Sequence, residues 1–119
     1  DLIDLLTLAR VRHNLAKNIS LGQQRLLEIG MALMAEPDLV LLDEATSGVN
    51  PALIEDIIGV IQYLNRDHGV TFFVVEHNMH FAMTVCQRLY VLDYGHLLAE
   101  GTPEEIAAHP EVQRVYLGR

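Results

Sequence analysis

The sequence predicts an α/β fold, a mostly parallel sheet flanked by helices, and three observations carry that expectation. Residues 39–42 (Leu-Val-Leu-Leu) form a short continuous apolar run, and residues 70–75 (Val-Thr-Phe-Phe-Val-Val) form a second one rich in β-branched and aromatic side chains. Both are patterns of strands covered on two faces in a parallel sheet. Between them Ile54, Ile57, Ile58, Ile61 and Leu64 recur at helical spacing, with Asn50-Pro51 as cap and first residue and His68-Gly69 as the stop. A strand, a helix and a second strand at these intervals make a right-handed parallel crossover.

The remaining elements follow from local chemistry. Residues 1–11 repeat Leu2, Leu5, Leu6 and Ala9 at helical spacing, and residues 12–18 read as a polar connection. Ser20 can cap a helix over residues 21–35, which is polar at its start (Gln23, Gln24, Arg25, Glu28) and apolar on every face from residue 29 onward. Such an end is expected to be buried on most sides. Glu36-Pro37-Asp38 terminates it, because proline disfavours helix in the residue before it. Asn78 caps a short helix to about residue 86. Residues 89–92 and 96–99 pair as strands across Asp93-Tyr94-Gly95, with the turn at Gly95. Thr102-Pro103-Glu104-Glu105 is a capping box that opens a helical tail interrupted at Pro110.

Composition narrows the classes of function. At 119 residues the chain is one domain or part of one, and its 50% apolar content excludes disorder. Sixteen acids against eight Lys and Arg leave a net charge of −8, which repels a phosphate backbone, so nucleic acid is not expected as a direct partner. Cys86 is the single cysteine and has no internal partner for a disulfide, as suits a reducing cytosol. No apolar run approaches about 18 residues, so no direct membrane insertion is expected. The chain opens on Asp1, without a methionine or a secretion-signal layout and directly on a helical pattern, and is expected to be cut from something longer.

Three places could carry chemistry. Asp43 and Glu44 leave the carboxyl end of the first strand, where open α/β sheets place ligand crevices. One carboxylate there can hold a hard cation while its neighbour polarises a water. Strands also end in acids simply on reaching solvent. His77 directly follows the second strand and could hydrogen-bond a terminal phosphate or an attacking water, although a loop histidine without a task reads the same way. His77 and His80 also stand three apart, which raises a metal reading with Asp43 or Glu44, but no third nitrogen or sulfur ligand stands at a telling interval. Ser20, Leu21, Gly22 and Gln23 combine a hydroxyl, a glycine and an amide at a helix N-terminus, which is either an anion site or an ordinary serine cap. Ser47, Gly48, Val49 and Asn50 read as a turn and cap.

Taken in order, these motifs resemble those of the ATP-binding cassette (ABC) family. By that resemblance Asp43 matches the Walker B aspartate that helps hold Mg²⁺, Glu44 the general base that activates water, and His77 the switch histidine that senses the γ-phosphate. Ser20, Leu21, Gly22 and Gln23 match the signature motif, which meets the nucleotide held by the opposite subunit of a head-to-tail dimer, and Ser47, Gly48, Val49 and Asn50 match the D-loop through which the two sites communicate. Gly22-Gln23-Gln24-Arg25, Glu76-His77-Asn78-Met79, Leu92-Asp93-Tyr94-Gly95, Glu100-Gly101-Thr102-Pro103 and Val115-Tyr116-Leu117-Gly118 resemble the ATPase subunits of branched-chain amino acid importers, with the lipopolysaccharide-export ATPase a close relative. Four positions depart from the general pattern: Leu21 for the first signature glycine, Met31 for a frequent arginine, Ala45 for proline and Asn50 for aspartate. None removes a catalytic group.

What the resemblance implies is a partial P-loop NTPase-like fold. Residues 1–36 would be the end of the helical subdomain with the signature helix, residues 37–100 the C-terminal part of the ATPase core, and residues 101–119 a helical tail. A phosphate-gripping loop closes with Gly-Lys-Ser/Thr. The only lysine, Lys17, lies between Ala16 and Asn18, so ATP and Mg²⁺ are expected to need a phosphate loop from outside these residues, and this stretch alone is not expected to hydrolyse ATP. The implied partners are a second ATPase subunit and transmembrane permease subunits, with the protein peripheral on the cytoplasmic face of the membrane. Two other readings stand beside this one: a non-catalytic half-cassette that supplies its signature motif in trans, and a soluble ABC protein. In the family's sheet the phosphate-loop strand lies between the second and third strands, so the chain alone is expected to be oligomeric or rearranged around the vacancy.

Overall fold

A computed structural model describes residues 1–117, the last of them by backbone alone, and resolves two compact units that divide between Glu76 and His77. In the first unit Asp1 caps α1 (Leu2–Leu5), 3₁₀ turns follow at Ala9–Val11 and Ala16–Asn18, and α2 (Leu21–Leu33) leads into β1 (Leu39–Asp43), α3 (Pro51–His68) and β2 (Thr71–Val75). The expected helix over residues 1–11 is broken at Thr7, whose φ is +57°. Leu6 and Leu8 are both buried, and a continuous helix would turn residues two apart to opposite faces, so the break lets both point inward.

β1 and β2 pair in parallel, with Leu41 opposite Phe73 and Asp43 opposite Val75. The crossover helix α3 has the predicted caps: the Asn50 side chain accepts from the Leu53 N–H, and Gly69 ends the helix at φ +67°, a left-handed conformation that glycine adopts without steric cost. All five residues of the predicted stripe are buried, together with Val60. At roughly 1.5–3 kcal/mol for each fully buried side chain, that stripe is a principal source of the unit's stability before conformational entropy is set against it. Asn65 donates to the Val70 carbonyl at 2.9 Å, and the Thr71 N–H donates to the Asp38 carbonyl at 2.9 Å, which fixes how β2 enters beside β1.

Burial departs from expectation at two places. β1 alternates, with Val40 and Leu42 buried but Leu39 and Leu41 exposed by 52% and 70%; on β2, Phe73 and Val75 are exposed in the same way. The sheet is apolar on both faces, as its sequence requires, yet one crossover supplies one helix, and the described residues cover one face only. Likewise α2 buries Gly22, Leu26, Ile29, Gly30 and Leu33, while Met31 on its other side and Met34 at its C-cap are exposed.

The second unit contains α4 (Met79–Val85), capped by Asn78, and an antiparallel hairpin of β3 (Leu89–Asp93) and β4 (His96–Gly101). Tyr94 and Gly95 both take positive φ in the two-residue turn, the geometry whose twist matches a hairpin. Thr102 and Glu105 form the predicted reciprocal capping box of α5 (Pro103–Ala108). His109 is extended before Pro110, and a short helix α6 (Pro110–Val112) runs into a wide π turn at Gln113–Leu117. Ala82, Leu89, Val91, Ala99, Ile106 and Val112 form this unit's core. Half-burial pushes the Cys86 thiol above its ordinary pKa.

Among the described residues there are two two-stranded sheets, one parallel in the first unit and one antiparallel in the second. Unpaired strand edges beside the exposed Leu41 and Phe73 are templates for association with another copy. Sedimentation velocity on this chain is expected to show self-association that weakens when Leu41 and Phe73 are both changed to lysine; a monodisperse monomer of ordinary stability would contradict it.

Candidate functional site

Ser20 starts α2 with a reciprocal capping box. The Ser20 Oγ accepts from the Gln23 N–H at 3.2 Å, and the Gln23 Oε1 accepts from the Ser20 N–H at 2.9 Å. Gln24 donates from Nε2 to the Ala16 carbonyl at 3.0 Å, which ties the helix start to the preceding 3₁₀ turn. The box satisfies two of the donors at the end where the helix dipole is positive, so the same residues that build the cap shape an anion-attracting end.

Gly22 is buried where α2 meets α3. A Cβ on it would overlap the Leu53 side chain and come within 3.3 Å of Val49 Cγ1. Gly48, at φ +71°, faces Leu21, and a Cβ there would lie 2.7 Å from Leu21 Cδ2. The four-residue start of α2 and the loop at residues 47–50 therefore pack directly on one another, Leu21 onto Gly48 and Gly22 onto Val49 and Leu53. Leu21, the departure from a glycine at that place, is what fills the contact with Gly48.

Asp43 and Glu44 are both exposed at the carboxyl end of β1. Glu44 has φ +47°, a conformation that costs a non-glycine residue roughly 1–2 kcal/mol. Its N–H donates to the Val75 carbonyl at 2.9 Å, and its carbonyl accepts from the Ser47 N–H at 3.1 Å. Two residues on, Thr46 is buried and held by both carboxylate oxygens of Glu76. This grouping of Glu44, Thr46 and Glu76 was not singled out by the spacing of motifs. The signal available was an acid immediately past a β-branched strand, beside the strand-end histidine.

The first unit thus brings together Asp43, Glu44, the loop at residues 47–50 and Ser20–Gln23 on connected segments. His77 is exposed and opens the second unit, covalently next to Glu76. Among the described residues no cluster of three or more His, Cys, Asp and Glu is placed to hold a metal ion by itself. Two exposed adjacent carboxylates suit Mg²⁺, which takes one or two protein carboxylates and completes its shell with water and phosphate oxygens.

Two family models match the chain: one described as ABC transporter over residues 1–47, and one described as Branched-chain amino acid ATP-binding cassette transporter over residues 96–119. With the fold and these segments in place, the chain is similar to part of the ATP-binding cassette of ABC transporters. The lipopolysaccharide export system ATP-binding protein LptB of Escherichia coli K12 is 39% identical over 118 residues, 99% of this chain and 48% of that protein. The high-affinity branched-chain amino acid transport ATP-binding protein LivG of Salmonella typhimurium is 40% identical over 103 residues, 87% of this chain and 40% of that protein. The ADP conformation of MJ1267, an ATP-binding cassette of an ABC transporter, superposes with a TM-score of 0.83 at 32% identity, over 99% of this chain and 48% of that one. Matched cassettes include a dimeric one. The chain spans about half the length of the curated relatives it matches.

The contact at Gly22 makes a stability prediction. Gly22→Val is expected to push α2 off Leu53 and destabilise the fold by about 1–3 kcal/mol, read as a lower urea midpoint. An unshifted midpoint would mean that the helix start is not seated against α3.

Proposed function

We propose that this chain is the C-terminal part of the ATP-hydrolysing subunit of an ABC transporter. One observation supports this reading most: the loop following Asp43-Glu44 packs through Gly48 on Leu21, so the carboxylates and the start of the signature helix belong to a single packed assembly. In this reading Asp43 helps hold Mg²⁺ and Glu44 is the general base for the attacking water. His77 meets the terminal phosphate. Bound Mg²⁺ supplies neutralisation of charge on the phosphate oxygens. Ser20, Leu21, Gly22 and Gln23 serve a nucleotide held by a second ATPase subunit, and Ser47, Gly48, Val49 and Asn50 carry communication between the two sites. The phosphate loop of the chain's own site comes from outside these residues. The domain assignment of residues 1–36, 37–100 and 101–119 belongs to the same reading.

The cargo we assign is branched-chain amino acids, favoured by the family model matched at residues 96–119. Lipopolysaccharide export is the second reading, favoured by the longer match to LptB. In both the partners are transmembrane permease subunits and the site of action is the cytoplasmic face of the membrane; no helix among the described residues is long and apolar enough to cross a membrane itself.

In a complete cassette that carries this chain, Glu44→Gln is expected to retain ATP while turnover falls by about 100-fold or more, the scale of a lost general base. Filter binding and phosphate release read the two quantities, and unchanged hydrolysis would remove Glu44 from the role of base. Detergent extraction is expected to copurify the cassette with multi-span membrane subunits. Recovery in a soluble complex without them would favour the soluble or half-cassette alternative.

A further inference from the structure

The carboxylate of Glu76 is used twice on one residue. Oε1 accepts from the Thr46 N–H at 2.8 Å, and Oε2 accepts from the Thr46 Oγ1 at 2.9 Å. Thr46 is the one polar residue among those described that is buried to this degree, with 6% of its surface exposed. Hydrogen bonds to an ionised acceptor are roughly twice as strong as neutral ones, and a paired set fixes direction as well as distance.

Thr46 stands between the two parts of the site that must be aimed. Before it, Glu44 is held in a left-handed conformation, its N–H on the Val75 carbonyl. After it, the Val49 N–H donates to the Thr46 carbonyl at 3.1 Å, closing the loop that carries Gly48 against Leu21. A strained backbone persists only where its surroundings over-determine it. Here the surroundings include the Val75 carbonyl, at the end of β2, and the carboxylate of the next residue, Glu76. A displaced Thr46 would release the φ that directs the Glu44 side chain and would also shift residues 47–50.

We propose that Glu76 is a positioning residue of the ATPase reaction: by clamping Thr46 it aims Glu44 and holds the loop of Ser47, Gly48, Val49 and Asn50 in register with it. The proposal rests on the assignment of Glu44 as general base. It gives the end of β2 a second function in the reaction beside that of His77, since the acid and the histidine are adjacent along the chain. The clamp needs one acceptor for the N–H and one polar atom for the hydroxyl, so an amide meets the requirement: its oxygen accepts from the N–H and its NH₂ donates to Oγ1. A methyl group meets neither.

The test is steady-state ATP hydrolysis by the complete cassette in three forms: unchanged, Glu76→Gln and Glu76→Ala. Glu76→Ala is expected to lower kcat by about ten- to a hundredfold, the scale of misplacing a reacting group, while KM for ATP changes little. Glu76→Gln is expected to restore most of the rate, and amide hydrogen exchange over residues 46–49 is expected to quicken in Glu76→Ala but not in Glu76→Gln. A Glu76→Ala enzyme with the unchanged kcat overturns the proposal, as does a loss that Glu76→Gln fails to restore. If Glu76→Ala does not fold, Thr46→Val removes only the hydroxyl bond. It is expected to lower kcat by a smaller factor at constant KM, and the full rate in that variant overturns the proposal too. Full hydrolysis by Glu44→Gln would instead sink the assignment of the base itself, whereas an inactive Glu44→Gln beside a fully active Glu76→Ala would sink the positioning role alone.

Discussion

Parallel pairing of Leu39–Asp43 with Thr71–Val75 is the constraint on which the rest of the first unit depends. Parallel strands place their carboxyl ends on the same edge, so the residues that leave β1 and β2 emerge side by side although about thirty positions separate them in the chain. Antiparallel pairing would have sent Glu76 to the far end of the sheet from Glu44. Pairing of this kind also demands a long connection, and the 18 residues of α3 supply it while burying their apolar stripe. The same event therefore closes the core and brings the Glu76 carboxylate to Thr46.

Close approach between helix and loop is the second condition, and two glycines meet it for different reasons. Gly22 lacks the Cβ that would overlap Leu53, so the need there is space. Gly48 needs space against Leu21 and also a positive φ, so two requirements converge on one residue. A bulky Leu21 opposite a bare Gly48 makes this a knob in a gap.

Much of the fold was legible in local chemistry. Every predicted cap from Ser20 onward is present, at Ser20, Asn50, Asn78 and Thr102, because a cap depends on residues no more than three apart and owes little to the rest of the chain. The stripe of α3 and the hairpin turn at Tyr94-Gly95 were legible for the same reason. Residues 1–11 were not: their spacing suits a helix, but burying both Leu6 and Leu8 overrode it at Thr7. The exposure of Leu41 and Met31 is not legible in the sequence either, since an apolar pattern states that a face seeks cover and says nothing about which residues supply it.

The sequence by itself determined the α/β class, the starts of the capped helices, and the exit of Asp43-Glu44 and His77 from the ends of strands, all of which follow from patterns within a few residues. Only the tertiary structure decided that Leu21 meets Gly48, that Glu44 takes a left-handed backbone, and that Glu76 holds Thr46 from thirty positions away. Those contacts join segments whose spacing along the chain carries no period. Their geometry exists only once β1 and β2 have paired.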